Sequence, residues 1–599
     1  MTLPSPQTIY LDADREPVSA IFHPAETDHA RDTAVILCPP FGWDEVCSYR
    51  SRREWGRRLA ADGYPTIRFS FPATGDSASV PRDPDRLEAW TTALDRTAHW
   101  LQAATASRRT VVIGMGLSGL VAYRAAAAGA PIDDLVLWAT PAKGRAFVRQ
   151  LRAFSKLEVS QFFEGLEQPP PLPPGELEAG GFLLSARTVR ELDALDLTAL
   201  PLVAASSRRV LLLERDGIAV DGRLREHLEV SGATVTVAAG NGYEAMTSHP
   251  QHARPPLEVI ARVSSWLGEA SRPASANQSS VSLPAQASYS AEIQIGDGAG
   301  VRETPVTIEQ PFGNLTGVLV EPLDPGERGL CAVLLNAGAV RRIGPSRMWV
   351  EVARRWAARG VPTLRLDVEG IGDSDGDETP YTDDGALYVP TLVPQVLAAL
   401  DFLEDRGVGD SFLVGGLCAG AYWSFHAALR DPRVSGAIML NPRALIWDTG
   451  LLPARDFRAL LTERPSLSKI VRVASVARVR ALALWVLGAP KRWFVRLRSR
   501  EARAAAAGAD TDAALEQLRA SRKRALLLFS ADEPLHEELV RSGRLARMEW
   551  WESVTLEYIA VRDHTLRPGW SQGQAHEALD RALERELQFS RPTAPAPSA

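Results

Sequence analysis

At 599 residues the chain exceeds what one hydrophobic core sustains, since cores stop growing near roughly 250–300 residues, and two large domains are expected. Hydrophobic residues at 45% and charged residues at 23% are ordinary for a soluble globular protein, and a net charge of −6 excludes the basic footprint of a nucleic-acid binder. Four cysteines, Cys38, Cys47, Cys331 and Cys418, are too few and too scattered for a disulfide framework or a zinc site, so neither metal nor other cofactor is expected. The opening Met-Thr-Leu-Pro-Ser-Pro has no basic region followed by an apolar run, and no stretch is apolar for long enough to cross a bilayer. A cytoplasmic location is the default expectation.

The first element in chain order is the short apolar run Ala34-Val35-Ile36-Leu37, which suits a buried strand ending in a Pro- and Gly-containing loop. Arg57-Arg58-Leu59-Ala60-Ala61-Asp62-Gly63-Tyr64-Pro65-Thr66-Ile67-Arg68 follows as the end of a helix and a second strand, leading to Gly75-Asp76-Ser77. The same text returns about 300 residues later as Arg354-Arg355-Trp356-Ala357-Ala358-Arg359-Gly360-Val361-Pro362-Thr363-Leu364-Arg365 and Gly372-Asp373-Ser374. So long a period means a duplicated domain. Each half alternates strand and helix, which predicts an α/β fold: two tandem domains, each a mostly parallel sheet covered by helices on both faces.

Further along the first half, Thr110-Val111-Val112-Ile113 predicts a strand that runs into Gly114-Met115-Gly116-Leu117-Ser118-Gly119 and an Ala-rich helix. This is the place for a nucleophile at a strand-to-helix elbow, but it holds Gly116, which has no side chain to attack with. Reading Ser118 as the nucleophile would push the turn into the helix. Beyond the strand Thr234-Val235-Thr236-Val237, Tyr243-Glu244 occupies the place where a catalytic histidine would stand; His249 and His252 follow among prolines. Residues 1–268 are therefore expected to be a degenerate domain. Residues 269–290, rich in Ser, Ala, Gln and Pro, read as a linker, and 591–599 as a disordered tail.

The second half, residues 291–590, keeps what the first lacks. After Ala332-Val333-Leu334-Leu335 comes the small-residue loop Asn336-Ala337-Gly338-Ala339, and strand Phe412-Leu413-Val414 enters Gly416-Leu417-Cys418-Ala419-Gly420. Glycines on both sides allow strand and helix to approach while Cys418 stays presented, and the helix N-terminus favours its thiolate. The backbone N–H of Ala419, with one from Ala337 or Gly338, is expected to form an oxyanion hole. Arg341, Arg342 and Arg347 are candidates for a substrate phosphate or carboxylate. Residues 444–520 read as a helical cap whose segment from Lys469 to Arg498 mixes basic and apolar residues, suiting a carrier protein, an acyl chain or peripheral membrane contact. Asp532, after the strand Ala525-Leu526-Leu527-Leu528-Phe529-Ser530, is the expected acid, with Glu533 and Asp563 as substitutes, and His564 the expected base. His426, His536 and His576 lie in helical stretches and are less suited.

Both halves resemble serine-hydrolase-type α/β-hydrolases. Leu37-Cys38-Pro39-Pro40-Phe41-Gly42, Arg68-Phe69 with Gly75-Asp76-Ser77, and Gly180-Gly181-Phe182-Leu183-Leu184-Ser185 resemble the hydrolases associated with exosortase and exopolysaccharide gene clusters. The cysteine box Gly415-Gly416-Leu417-Cys418-Ala419-Gly420 is similar to the lipase-like box of polyhydroxyalkanoate synthases. These resemblances imply acyl chemistry. The expected activity is acyl transfer through an acyl-Cys418 intermediate, from an ester or from a coenzyme A or carrier-protein thioester; hydrolysis of the same intermediate, or a non-catalytic scaffold, is the alternative.

Overall fold

The structure is a computed structural model that describes residues 6–11, 16–25, 29–274, 287–296, 298–324, 329–447 and 510–590. Its first sheet is built from the short apolar runs of the first half. The strands are β1 (Gln7–Leu11), β2 (Val18–His23), β3 (Thr33–Leu37), β4 (Thr66–Phe69), β5 (Arg109–Met115) and β6 (Asp134–Trp138). A small hairpin of β7 (Leu177–Ala179) and β8 (Phe182–Leu184) stands apart, and β9 (Arg209–Leu213), β10 (Thr234–Ala238) and β11 (Ala287–Ser288) return to the sheet. Side chains of β3 through β6 are buried almost throughout, as both-face coverage by helices requires.

The second half repeats this with β12 (Ala291–Ile295), β13 (Ala299–Gln310), β14 (Gly313–Pro322), β15 (Gly329–Ala337), β16 (Thr363–Asp367), β17 (Gly409–Leu417), β18 (Val434–Leu440), β19 (Arg524–Ser530) and β20 (Val554–Ile559). The spatial orders are β1-β2-β4-β3-β5-β6-β9-β10 and β13-β14-β16-β15-β17-β18-β19-β20, each with one further edge strand. In both, the strands that precede β3 and β15 in the chain pair antiparallel, and the run from β4 or β16 to the far edge is parallel. The duplication read from sequence is thus a duplication of topology, an α/β fold in two parts.

Both ends of the expected linker lie along the first half. Arg272 N donates to Asp32 Oδ1 at 2.9 Å, and β11 pairs antiparallel with β1. Of the expected cap, 448–509 fall outside the described residues, including Lys469 to Arg498, as does the tail 591–599. Residues 510–520 correct the cap boundary. They form a helix whose Leu515 and Leu518 are buried in the core of the second half, leading directly into β19.

The two halves share an interface that explains the repeated Arg…Gly-Asp-Ser text. Arg68 of the first half donates to Asp373 of the second at 3.1 Å, and the equivalent Arg365 of the second donates to Asp76 of the first. The pairs are crossed, as in a two-fold interface where each partner offers the same patch. The serine works inside each half: Ser77 Oγ donates to Ser70 O and accepts Ser19 N, while Ser374 Oγ donates to Asp367 O and accepts Thr316 N. An apolar cluster continues across the boundary, joining Val46, Phe162, Phe163 and Phe182 to Trp349, Val352 and Leu566. Charges this deep survive only because each is paired: burial alone would raise the carboxyl of Asp76, but Arg342, Arg365 and Arg341 hold it far below the usual range.

Candidate active site

Strand β17 ends at Leu417, and the helix Ala419–Arg430 begins two residues later. Cys418, between them, is held at φ 58° and ψ −114°, a conformation costly for a residue with a Cβ. The turn is this tight because neither flanking glycine has room for a side chain: a Cβ on Gly416 would lie 2.2 Å from Gly420 C, and one on Gly420 2.2 Å from Asn336 O. Cys418 is half-buried, and its Sγ lies 3.1 Å from the hydroxyl of Tyr388. Tyr388 is stacked on Trp447, with ring centroids 4.2 Å apart, and meets Tyr422 edge-on. The other cysteines, Cys38, Cys47 and Cys331, are fully buried, and burial pushes their thiols up.

His564 follows β20. Its Nδ1 lies 2.9 Å and 3.0 Å from the two carboxylate oxygens of Glu533. This corrects the assignment of Asp532. Asp532 occupies the left-handed turn after β19 at φ 61°, with a side chain 62% exposed and paired to Arg562. Glu533 is the next residue, 4% exposed, turned inward just before the helix Pro534–Arg541. Asp563 is also excluded, because it accepts from the backbone of Thr565 and Arg567 and from the Arg567 guanidinium.

Glu533 and His564 are fixed by a residue the sequence reading passed over. Asn441, buried at the end of β18, donates to His564 O at 2.7 Å and to Ser530 Oγ at 3.0 Å, and accepts Ser530 N at 2.7 Å. Ser530 Oγ in turn donates to Glu533 Oε1 at 2.9 Å. A buried Asn at a strand's C-terminal end, with φ 43°, was the available signal.

With Nδ1 taken by Glu533, Nε2 of His564 is buried and is the nitrogen that remains for Cys418, which acts on the imidazole through charge and a side-chain hydrogen bond. Burial alone would raise the thiol; the charge and hydrogen bond of His564, helped by the charge of Arg443 and by the Tyr388 hydroxyl, lower it instead. The same coupling works on His564, where burial is outweighed by Cys418 and Glu533 and the imidazole is raised. The ion pair therefore spans a window bounded on the acid side by protonation of the Cys418 thiolate, brought down to about 7, and on the alkaline side by loss of the His564 proton, pushed up to about 10. Iodoacetamide alkylation of Cys418 should rise with pH through a midpoint below that of a free thiol. In His564→Ala, where burial acts unopposed by the imidazolium, the midpoint should move up.

Ala337 ends β15 in register with Leu417, and Ala419 is the first residue of the helix, so the expected oxyanion donors flank the elbow. Gly338, the next residue, takes the positive φ of 57° that glycine tolerates. Arg341, Arg342 and Arg347 do not line a substrate site. All three are buried: Arg341 and Arg342 bind Asp76, and Arg347 binds the carbonyl of Ser77. Among the other histidines, His426 Nε2 lies 2.9 Å from Leu445 O, His536 packs on Phe529 and Tyr558, and His576 meets Arg355.

In the first half the same turn carries a glycine at the position of Cys418. Gly116 has φ 56° and ψ −114°, the conformation of Cys418. A Cβ there would stand 3.5 Å from the hydroxyl of Tyr243, which fills the space a histidine would need. Ser118 is fully buried, its Oγ accepting Met115 N at 2.8 Å and donating to Met115 O at 3.1 Å. His249 and His252 contact each other, with ring centroids 5.7 Å apart. Ser118→Ala should leave turnover of the whole protein within about 2-fold while lowering stability by about 1 kcal/mol, the value of a lost buried hydrogen bond; parallel rate and thermal-unfolding measurements check both.

No family model and no curated protein matches the chain. Solved structures similar to part of it include Est1E from Butyrivibrio proteoclasticus with ferulic acid bound, 16% identical with a TM-score of 0.32, over 43% of this chain and 98% of that one. Another is an α/β serine hydrolase without lid from Xanthomonas campestris, 15% identical with a TM-score of 0.28, over 45% of this chain and 96% of that one. A dienelactone hydrolase from Anabaena variabilis is 14% identical with a TM-score of 0.30, over 48% and 98%. Among the described residues no helix is long and apolar enough to cross a membrane.

Proposed function

We propose that the second half is an α/β-hydrolase-type enzyme that transfers acyl groups through Cys418. One observation carries the reading: a cysteine held in the strained elbow conformation at the end of β17, on the sheet edge that also holds a histidine whose Nδ1 is bound by a buried carboxylate. The Cys418 thiolate attacks the carbonyl carbon of an acyl ester or thioester, and the oxyanion is held by the N–H of Ala419 and one from the Ala337–Gly338 turn. As the bond to the leaving oxygen or sulfur breaks, protonated His564 gives that atom its proton. Neutral His564 then takes a proton from the acceptor, whose hydroxyl or amine attacks the acyl-Cys418 thioester. The acceptor is acylated and the Cys418–His564 ion pair returns. Glu533 keeps its charge throughout and holds the imidazole in one tautomer.

A thioester intermediate favours transfer over hydrolysis, because exchange at a thiolate is nearly isoenergetic and a thioester selects strongly for good nucleophiles. The experiment is to incubate the protein with an acyl thioester, locate the acyl mass on Cys418 by peptide mass spectrometry, and follow free acid against product with sugar, alcohol and amine acceptors. Acyl-Cys418 that discharges faster with one acceptor class is the expected result. Acyl-Cys418 releasing free acid at the full turnover rate, indifferent to every acceptor, would make the enzyme a thioesterase or esterase. Absence of any acyl-Cys418 would remove the mechanism.

A further inference from the structure

The oxyanion donor contributed by Ala337 or Gly338 stands at the head of a loop, residues 338–347, that belongs to neither a strand nor a regular helix through most of its length. Donors to a developing charge must be placed to within a fraction of an ångström, which a free loop cannot provide. Part of the fixing is local: Asn336 Nδ2 donates to Val340 O at 3.0 Å, and Arg342 N donates to Asp367 Oδ1 at 2.5 Å. The rest comes from the first half. Asp76 Oδ2 accepts from Arg341 Nη1 at 3.0 Å and Arg342 Nη2 at 3.1 Å, and its other oxygen binds Arg365. Arg341 also reaches Glu45 at 3.2 Å and lies over the Tyr49 ring at 4.1 Å, and Ser346 Oγ donates to Gly180 O at 2.8 Å.

We propose that Asp76, with the first-half carbonyl that receives Ser346, is a positioning residue for the oxyanion-hole loop of the second half, so that the catalytically empty domain is a working part of the other domain's site. The inference rests on the acyl-Cys418 reading. Asp76 is suited to this because it is 1% exposed and is shared by both adjacent loop arginines, so it fixes where the chain leaves β15. It touches neither Cys418 nor His564 and acts only through the loop. Its equivalent by repeat, Asp373, is bound by Arg68 and Tyr49 of the first half, as the crossed interface requires.

Two reactions of one cysteine separate positioning from general damage. Alkylation of Cys418 by iodoacetamide needs the thiolate and no oxyanion hole, whereas turnover of an acyl thioester needs both. In Asp76→Asn, kcat on a short-chain acyl N-acetylcysteamine thioester should fall by about 10- to 100-fold, the scale of a sub-ångström misplacement, with KM and the alkylation rate each within about 3-fold of the parent. Ser346→Ala removes one neutral hydrogen bond to the same loop and should lower kcat several-fold with the same pattern; it decides the matter if Asp76→Asn does not fold. Arg53→Ala loosens the same interface away from the loop, where Arg53 donates to the carbonyls of Gly372 and Ser374, and should leave kcat unchanged. The proposal is overturned if kcat is unaffected in the first two variants, if alkylation falls with kcat, or if Arg53→Ala matches them. Failure of the acyl-Cys418 reading is a different result, visible as a parent protein that alkylates at Cys418 yet never carries an acyl group there.

Discussion

Replacing Cys418 by glycine is expected to reduce turnover to background, a loss of at least about 10³-fold, without lowering the melting temperature. The first part follows from the proposed role of the thiolate sulfur as the atom that bonds to the acyl carbon. The second is unusual for a half-buried residue next to a core, and the protein supplies its own precedent. Gly116 occupies the same place in the first half with φ and ψ within a few degrees of those of Cys418. There the strand, turn and helix all form without a side chain. At Cys418 the Cβ in a left-handed conformation costs roughly 1–2 kcal/mol, which glycine recovers, against the loss of the contact to Tyr388. Thermal unfolding of Cys418→Gly beside the parent, together with its turnover of an acyl thioester, tests both parts. A folded Cys418→Gly protein with substantial turnover would show that the chemistry lies elsewhere.

Much of this was legible in the sequence, for identifiable reasons. The duplication, the central strands and the elbow are written in local patterns: apolar runs of strand length, and a cysteine framed by Gly416 and Gly420 whose spacing has one geometric meaning. The order of nucleophile, acid and histidine along the chain pointed to His564, whose Nδ1 the structure sets against the carboxylate of Glu533. What was not legible depended on which way a side chain turns across a single residue or between distant segments. Asp532 and Glu533 are adjacent after the same strand, and only the left-handed turn at Asp532 decides that Glu533 points inward. Arg341 and Arg342 read as candidates for a substrate phosphate or carboxylate, because the carboxylates that bury them lie in Asp76 of the other repeat and in Asp367. The Arg and Gly-Asp-Ser shared by the two halves was visible as a repeat, but its meaning as a crossed interface required both copies in space.

The adjacent acids also provide the sharpest test of the site, with Glu533→Gln expected to lose about 10³- to 10⁴-fold in turnover and Asp532→Asn to stay within about 2-fold of the parent. The amide introduced by Glu533→Gln turns either its oxygen or its NH₂ toward Nδ1, but neither carries charge, so the imidazolium loses the carboxylate that raises it. A less basic His564 stabilises the Cys418 thiolate less, and burial then drives the thiol upward. Two readings should therefore move together in Glu533→Gln: turnover falls and the midpoint of Cys418 alkylation shifts to higher pH. The Ser530 hydroxyl that donates to Glu533 Oε1 would still find an acceptor in the amide oxygen, so the local fold is retained and the loss reports on charge. Asp532, 62% exposed and paired with Arg562 on the surface, has no path to His564, and its removal should alter neither reading. A large loss in Asp532→Asn with an unaffected Glu533→Gln would reverse the assignment and return the role of the acid to the outward-facing residue.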